Sequence, residues 1–244
     1  MNILKTQVHT IFMFIGPSGS GKSVFAKNVL IPGLDKPMDV KTNYKPNIQY
    51  ISSDDVRKEI LGHDFDKFAS VMTECSEQAF DLIFTKLELI TSYPVNAEYV
   101  ILDTTGLSEE FRNKVLEIGQ KNNYNVDAII FDYKKINEYT KNFENEDNQG
   151  AVTPRKIIAS HTKRLHNEVM RTIKRDKYRH TTRIKAKDFV IENEDGTLTS
   201  NMQINVWDAD RYEQRILSDE YQWVSIGDIH GCFDELQELF EKLG

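Results

Sequence analysis

Apolar runs alternate with amphipathic segments along most of this 244-residue chain. Four short apolar runs, HTIFMFIG, IQYISS, YVILD and VDAIIFDY, are typical of strands, and HTIFMFIG is typical of a buried one. Between them, segments such as GKSVFAKNVL, DDVRKEIL and SEEFRNKVLEIGQKN have the hydrophobic spacing of helices. Strands that alternate with helices predict an α/β fold, with a parallel sheet flanked by helices on both faces.

Turn residues and caps mark the limits of these segments. Pro32 is expected to close the first helix, and the proline-rich stretch 32–47 is expected to be an insertion loop. Apolar residues recur at helical spacing over residues 67–89, which predicts a helix packed on the core. Ser108 is the expected N-cap of the helix after YVILD, and Pro154 is expected to open a long basic helix.

Composition favours a folded protein of a reducing compartment. Hydrophobic residues make up 39% of the sequence, which is enough for a core. No apolar run approaches the roughly 20 residues of a membrane span. The apolar start leads directly into a glycine motif, so a secretory signal is a poor interpretation. Cys75 and Cys232 match no metal-ligand spacing. We therefore expect a cytoplasmic protein without membrane contact.

Charge is distributed unevenly along the chain. The formal net charge is −7, yet residues 155–187 contain twelve Lys or Arg residues and only two acids. This segment therefore carries +10, which leaves −17 for the rest of the chain. A local basic face on an acidic protein suits a guided anionic substrate better than indiscriminate binding. A solvated helix surface explains the same charges, and the sequence alone leaves both interpretations open.

A glycine-rich motif between the first strand and the first helix predicts phosphate binding. Residues 16–23, GPSGSGKS, match G-x-x-x-x-G-K-[ST] in the strand-to-helix context that the motif requires. The glycines let backbone N–H groups turn toward phosphates, and the helix N-terminus adds positive charge. Lys22 is expected to reach the β- and γ-phosphates of ATP, and the Ser23 hydroxyl to ligate Mg²⁺. The predicted nucleotide-binding residues are Gly16, Ser18, Gly19, Ser20, Gly21, Lys22 and Ser23.

Two acidic positions follow later strands. Asp54, just after IQYISS, could accept the proton of an attacking hydroxyl, and Arg57 lies three residues further on the same helix face. A capped helix start, with Asp55 complementing the helix dipole, explains the same segment. Asp103 ends YVILD at the usual position of a second acid that holds Mg²⁺, although it could also cap the next loop.

In order and spacing, FIGPSGSGKSVFAK, ISSDDVR, EQAFDLIFTKLELI and VILDTTG resemble the kinase domain of bacterial polynucleotide kinase-phosphatases over about residues 10–175. Those proteins transfer the γ-phosphate of ATP to a 5′-hydroxyl end of RNA or DNA during strand repair. The resemblance implies that Lys22 and Ser23 are the phosphate and metal residues. It also implies that Asp54 is the general base and that Arg57 contacts the acceptor's phosphate.

The sequence departs from that family at two places. Gly106 stands where asparagine is usual. The segment 140–150, where the family carries arginines that close over the ATP phosphates, has Lys141 as its only cation. Arg155 and Lys156 could substitute from the next helix. Without such a cation, turnover is expected to fall on the order of 10³-fold or more.

The C-terminal run SIGDIHGCFDELQELFEKLG resembles the opening of a calcineurin-type metallophosphoesterase domain. The resemblance implies that Asp228 and His230 are ligands of a two-metal site, for Mn²⁺ or a similar ion in a complete domain. The later ligands of such a site do not follow before Gly244. We therefore expect a P-loop kinase domain over 1–185, a linker over 186–222 and the start of a phosphatase domain over 223–244.

These observations favour an ATP- and Mg²⁺-dependent polynucleotide 5′-hydroxyl kinase. Its expected partners are a nucleotide, a nucleic acid with a 5′-hydroxyl end, here expected to be RNA, and the rest of the phosphatase domain; the sequence does not indicate whether the kinase prefers RNA or DNA. A small-molecule P-loop kinase, for a sugar or nucleotide-sugar, keeps the P-loop and the base but leaves the basic segment unexplained. A non-catalytic nucleotide-binding module fits the arginine-poor segment. His161 is expected to pack against the core rather than take part in catalysis.

Overall fold

Five parallel strands form the central sheet of the computed structural model. The described residues are 2–38, 43–65, 69–132, 155–185, 191–192, 198–199, 204–208 and 233–243. The strands are β2 (Thr10–Ile15), β3 (Ile48–Ser52), β4 (Tyr99–Asp103), β5 (Asn125–Phe131) and β6 (His180–Ile184). Their spatial order is β3-β4-β2-β5-β6, and all neighbouring pairs are parallel. The four apolar runs supply β2 to β5, and the predicted parallel α/β fold is confirmed.

Helical segments connect these strands. The first stretch comprises α1 (Lys22–Phe25), a π-helical segment (Ala26–Leu30) and α2 (Ile31–Leu34). It is followed by α3 (Ser53–Leu61), α4 (Ser70–Glu74), α5 (Ser76–Ile90) and α6 (Glu109–Lys121). Before β6, the chain forms α7 (Arg155–Arg164), a second π-helical segment (Leu165–Val169) and α8 (Met170–Thr172).

The alternation of side chains along β2 divides the core into two layers. Ile11, Met13 and Ile15 are buried in one cluster with apolar residues of α5, α6 and the second π-helical segment. Phe12 and Phe14 are buried in the other, with residues of the first helical stretch and of α7. Successive strand residues face opposite sides of a sheet, so a strand buried on both sides is apolar throughout. Helices therefore cover both faces, as predicted.

The first helix does not end at Pro32. Helical backbone continues through α2 as far as Leu34, with a π-helical segment directly before it. Proline lacks an N–H and its ring clashes with the carbonyl four residues earlier, so it does not fit a regular α-helix. The wider turn of the π-helical segment lies where that conflict would arise. The expected insertion loop consequently begins later than residue 32.

The helix predicted over residues 67–89 is interrupted at Cys75, between α4 and α5. Here the Cys75 thiol donates to the Met72 carbonyl at 3.6 Å, and the Ser76 hydroxyl donates to the same oxygen at 3.4 Å. Such local side-chain bonds compete with the backbone ladder. The predicted burial of this segment is confirmed at Met72, Cys75, Ala79, Ile83 and Leu87.

The N-terminal strand pairs with a distant one. β1 (Asn2–Thr6) runs parallel to the strand Ile204–Asp208. A short antiparallel pair, β7 (Ile191–Glu192) and β8 (Leu198–Thr199), precedes it, so Ile204–Asp208 is β9. The final helix is α9 (Phe233–Leu243).

Several predictions concern residues outside the described ranges. They include Lys141 in the segment 140–150, and Asp228 and His230 of the phosphoesterase motif. The domain boundaries at 185 and 222 likewise stay predictions. Within the described part of the chain, no helix has the length and apolar character that a membrane crossing needs.

Candidate active site

The glycine-rich loop joins β2 to α1 at the carboxyl edge of the sheet. Gly19 and Gly21 have φ angles of 80° and 77°, left-handed conformations in which glycine carries no steric penalty. A side chain at Gly16 would bring its Cβ within 2.9 Å of Phe131 Cβ. The motif therefore has glycine where the backbone turns and where it approaches β5. In parallel α/β sheets, ligands bind at this edge.

Lys22, the first residue of α1, folds back over its own loop. Its side chain is buried, and Nζ donates to the carbonyl oxygens of Pro17 at 2.8 Å and Gly16 at 3.3 Å. The Ser20 hydroxyl lies 3.5 Å from the same nitrogen. The ammonium group thus lies inside the loop that is predicted to hold phosphate, close to where a terminal phosphate would be neutralised.

Ser23 and Asp103 lie together although 80 positions separate them. The Ser23 hydroxyl donates to Asp103 Oδ2 at 2.5 Å, and the Tyr50 hydroxyl donates to the same oxygen at 2.6 Å. Asp103 is almost fully buried at the end of β4. Hydroxyl and carboxylate oxygens are the donors that Mg²⁺ prefers, so this pair fits the ion expected from the motif. Among the described residues, no group of three or more His, Cys, Asp or Glu side chains could hold a metal.

Asp54 and Arg57 occupy the first turns of α3, directly after β3. Ser52 caps this helix, with its hydroxyl accepting from the Asp55 N–H at 3.4 Å. The Asp54 side chain is 54% exposed and accepts from Arg57 Nη1 at 2.9 Å. The capped helix start and an accessible carboxylate therefore coexist. In the β3–β4 register Ser52 lies opposite Asp103, so Asp54 follows a strand end beside the Ser23–Asp103 pair.

Gly106, the departure from the kinase family's asparagine, is explained by packing. Its φ is +59°, and a Cβ would lie 2.7 Å from the Phe14 carbonyl oxygen and 2.9 Å from Ile15 Cγ1. Both atoms belong to the end of β2, immediately before the phosphate-binding loop. The neighbouring Thr105 carbonyl accepts from the Gly16 N–H at 2.9 Å. The loop after β4 is thus pressed against the glycine-rich loop, and any side chain at residue 106 would separate them.

Part of the basic segment is paired within the fold. Arg179 forms an ion pair with Asp127, and both Arg183 and His166 pair with Asp132. These contacts connect the basic segment to β5 and to Asp132 directly after it. Arg155 is the first residue of α7, and its predicted nucleotide contact stays a prediction. The cations that remain exposed include Lys156, Lys163, Arg171, Lys174, Arg175 and Lys177.

His161 is half-buried, and it contacts the glycine-rich loop as well as the core. Its Nδ1 accepts from the Ser18 N–H at 3.3 Å and lies 3.3 Å from the Ser18 hydroxyl oxygen. Burial, together with the nearby Lys22 and Arg164 cations, lowers the pKa of His161 to about 4. The expectation of a residue that only packs against the core was therefore incomplete. Ile158 of α7 and Leu165 directly after it are fully buried.

Two more residues of this region carry no motif in the sequence. Tyr50 is a donor to Asp103, and its ring lies 5.6 Å from Lys27 Nζ. Burial and the Asp103 charge raise the pKa of Tyr50 above its ordinary value. Arg112 is fully buried in α6 and donates to the carbonyls of Gly106 and Leu107 at 3.2 and 3.3 Å. Because charged residues are rarely fully buried, the sequence around Arg112 gave no indication that this side chain lies in the interior.

The order of the parallel strands, the glycine-rich loop and the Ser23–Asp103 pair define a P-loop kinase-like nucleotide-binding fold. A family model described as "AAA domain" matches residues 11–137. The match covers more than half of the chain, which therefore belongs to this family. The match ends before the predicted phosphoesterase motif, which stays a prediction.

Solved structures are similar to this chain at low sequence identity. A protein from Chloroflexus aurantiacus described as a candidate kinase is 10% identical with a TM-score of 0.50, over 73% of this chain and 86% of that one. Chaetomium thermophilum Kti12, solved with ADP-AlF3, is 15% identical with a TM-score of 0.46, over 76% and 92%. A chain of the PezAT toxin–antitoxin system of Streptococcus pneumoniae is 12% identical with a TM-score of 0.47, over 99% and 88%. No curated protein matches the chain.

Proposed function

We propose that this protein is an ATP-dependent polynucleotide 5′-hydroxyl kinase that acts on RNA or DNA ends. The observation that carries the proposal is the junction at Asp103. This carboxylate binds the P-loop serine and Tyr50 of β3, the strand that leads into Asp54. The phosphate donor's loop follows β2 and the exposed carboxylate follows β3, and both strands pair with β4, which carries Asp103. A phosphotransferase needs these two groups close together.

In the proposed reaction, the acceptor hydroxyl approaches Asp54, which aligns it and takes its proton. The acceptor oxygen forms a bond to the γ-phosphorus as the bond to the β,γ-bridging oxygen breaks, and ADP leaves with that oxygen. Lys22 offsets charge on the transferring phosphoryl group. Ser23 and Asp103 would hold Mg²⁺, which supplies further charge neutralisation at the phosphates when bound. Arg57 would bind a phosphate of the acceptor strand, and its ion pair with Asp54 would weaken as it does so.

The nucleic-acid acceptor is supported by charge and by sequence. Cations of α7, of α8 and of the turn after α8 are exposed on a chain of net charge −7, and exposed cations can bind the phosphates of a nucleic acid. Residues 10–175 resemble the kinase domain of polynucleotide kinase-phosphatases, and Gly-Asp-x-His-Gly at 227–231 resembles the opening of the phosphatase that follows it there. A small-molecule kinase gives no reason for either feature.

The test is phosphate transfer from γ-labelled ATP, with Mg²⁺, to a short 5′-hydroxyl RNA and the matching DNA. Strands that already carry a 5′-phosphate are the negative controls. We expect label on the 5′-hydroxyl strands alone. Asp54→Asn should lower the rate about 10²- to 10⁴-fold with little change in ATP affinity, because a general base acts on the transfer step. Asp55→Asn is the matched control on the same helical turn and should retain activity.

Other results would point to the alternatives. Transfer to a sugar or nucleotide-sugar, but not to either strand, would indicate a small-molecule kinase. ATP binding without transfer to any acceptor would indicate a nucleotide-binding module. Equal loss of ATP affinity and rate in Asp54→Asn would contradict its role as the base.

A further inference from the structure

One contact joins the helical stretch before β6 to the phosphate-binding loop. His161 of α7 and Ser18 of the loop are separated by 143 positions, and the Ser18 N–H donates to His161 Nδ1 at 3.3 Å. The Ser18 hydroxyl oxygen lies at the same distance from that nitrogen. The imidazole therefore contacts Ser18 through both its backbone and its side chain.

The Ser18 N–H donor determines the protonation state and the tautomer of the His161 imidazole. A backbone N–H can only donate, so Nδ1 must carry a lone pair, and the ring is neutral with its proton on Nε2. The surroundings favour the same form. Lys22, from α1, and Arg164, one turn further along the helix, are both close enough to oppose a positive charge on His161. Burial of the ring disfavours the charged form more strongly than either cation does.

The hydrogen bond between Ser18 and His161 matters for phosphate binding because of where Ser18 lies in the loop. Ser18 precedes Gly19 and Gly21, the two left-handed residues that turn the following amides. Phosphates are held in such loops by successive backbone N–H groups, so the direction of each amide matters. The Ser18 amide is directed at α7, and the turn of the loop begins directly after it.

The neighbours of His161 show that packing alone does not account for this contact. Ile158, Thr162 and Leu165 are the buried residues of this side of the helix, and they pack without polar contact to the loop. Thr162 uses its hydroxyl within the helix, donating to the Ile158 carbonyl at 2.7 Å. His161 lies beside them with its acceptor nitrogen at the loop backbone.

We propose that His161 is a positioning residue of the nucleotide site: its neutral imidazole accepts the Ser18 N–H bond and fixes the first turn of the phosphate-binding loop against α7. The residue itself does not take part in phosphoryl transfer. The inference concerns nucleotide binding alone. It is therefore independent of the acceptor, and its failure would leave the proposed polynucleotide substrate untouched.

Three substitutions of His161 distinguish a role as hydrogen-bond acceptor at the Nδ1 position from a role in packing alone. His161→Asn can keep an acceptor oxygen near the Nδ1 position. His161→Gln moves the acceptor outward toward the Nε2 position. His161→Leu removes the acceptor and fills the space with an apolar side chain of similar size. His166→Asn is the matched control, because His166 is exposed in the next turns and pairs with Asp132 instead.

The measurements are equilibrium binding of ATP with Mg²⁺ and amide hydrogen exchange at Ser18, on the full chain with melting curves for each variant. The loss of one neutral hydrogen bond corresponds to roughly a two- to ten-fold weaker binding in His161→Leu and His161→Gln. Faster exchange of the Ser18 amide is expected in the same two variants. His161→Asn should restore most of the affinity and the protection, and His166→Asn should match the unchanged protein.

Two results would overturn the proposal. One is unchanged ATP affinity and Ser18 protection in a folded His161→Gln protein. The other is an affinity in His161→Asn as low as in His161→Leu. If His161→Leu does not fold, the comparison of Asn with Gln at the same position still decides, because both are polar and differ in where the acceptor lies.

Discussion

Tyr50 and Asp103, on neighbouring parallel strands, are joined by a hydrogen bond of 2.6 Å from the phenol to a carboxylate oxygen. The same oxygen accepts from Ser23. Two donors on one oxygen restrict the rotation of the carboxylate and leave its other oxygen to a different partner. Groups that orient a metal-binding carboxylate affect metal affinity although they do not touch the metal. Tyr50 therefore belongs to the proposed Mg²⁺ site as an orienting residue.

Replacing Tyr50 by phenylalanine tests this role. The ring and its packing next to Lys27 are kept, while the donor to Asp103 is lost. We expect about a ten-fold higher Mg²⁺ concentration for half-maximal ATP binding or transfer, at the low end of the effect of removing such partners. A titration of Mg²⁺ at fixed ATP measures it. Tyr44→Phe is the control, because that hydroxyl donates to Glu98 before β4, away from the site. An unchanged Mg²⁺ midpoint in Tyr50→Phe would contradict the role.

Gly106 should tolerate no side chain. Gly106→Ala forces a left-handed residue and sets a Cβ 2.7 Å from the Phe14 carbonyl, so we expect about 2–5 kcal/mol lower free energy of unfolding. Gly62→Ala separates the two contributions, since Gly62 has φ +65° with nothing within 4 Å. That control should cost about 1–2 kcal/mol. Chemical denaturation of both variants measures the difference, and equal losses would mean that the crowding at residue 106 relaxes freely.

Arg112 should be a main stabilising residue of the loop that carries Gly106. Its Nε donates to Asp176 at 2.9 Å and both side chains are buried, so Arg112→Met leaves a buried carboxylate unpaired. The expected loss is about 3–5 kcal/mol in the free energy of unfolding. Lys114→Met on the same helix breaks an exposed pair with Glu117 and should cost less than about 1 kcal/mol. Adding Asp176→Asn to Arg112→Met should recover part of the loss, and a strictly additive result would argue against a coupled pair.

The pH dependence of stability should report on His161. The pKa of His161 is about 4 in the folded protein and near 6.5 when exposed, because of burial and the charges of Lys22 and Arg164. Between these values the unfolded chain binds a proton that the folded protein does not, so the free energy of unfolding falls as the pH drops from 6.5 toward 4. Denaturant titrations at pH 7.5 and 5 should show a smaller fall in His161→Asn than in the unchanged protein. Equal falls in the two proteins would contradict the shift.

Short-range patterns predicted the fold well. Strands buried on both faces are largely apolar, and β2, β4 and β5 were recognisable for that reason, whereas β3 is an edge strand that is only partly buried over its first three residues. The cap at Ser108 is confirmed, since its hydroxyl accepts from the Phe111 N–H at 3.3 Å. Helix limits at Pro32 and Cys75 were predicted less well, because a π-helical turn and side-chain bonds to carbonyls changed the backbone there.

The residues of the site were predictable only where a sequence motif with a characteristic spacing indicates their chemical role. The glycine-rich loop and the acid at the end of β4 satisfy that condition. Tyr50, Arg112 and His161 do not, because each acts through a partner far away in sequence: Asp103, Asp176 and Ser18. No local pattern records such a pairing. The side chains that hold the loops in place were for that reason outside the reach of sequence reasoning.

The pairing of β1 with β9 also has a consequence for how the chain acquires its structure. Asn2–Thr6 is synthesised about two hundred residues before its partner, Ile204–Asp208. Contacts between such distant positions carry a high loop-closure entropy and form late. The strands of the five-stranded sheet can pair before β9 has been made, while β1 still has no partner strand. During synthesis its unpaired edge is open to other strands, and the arrival of β9 ends that exposure.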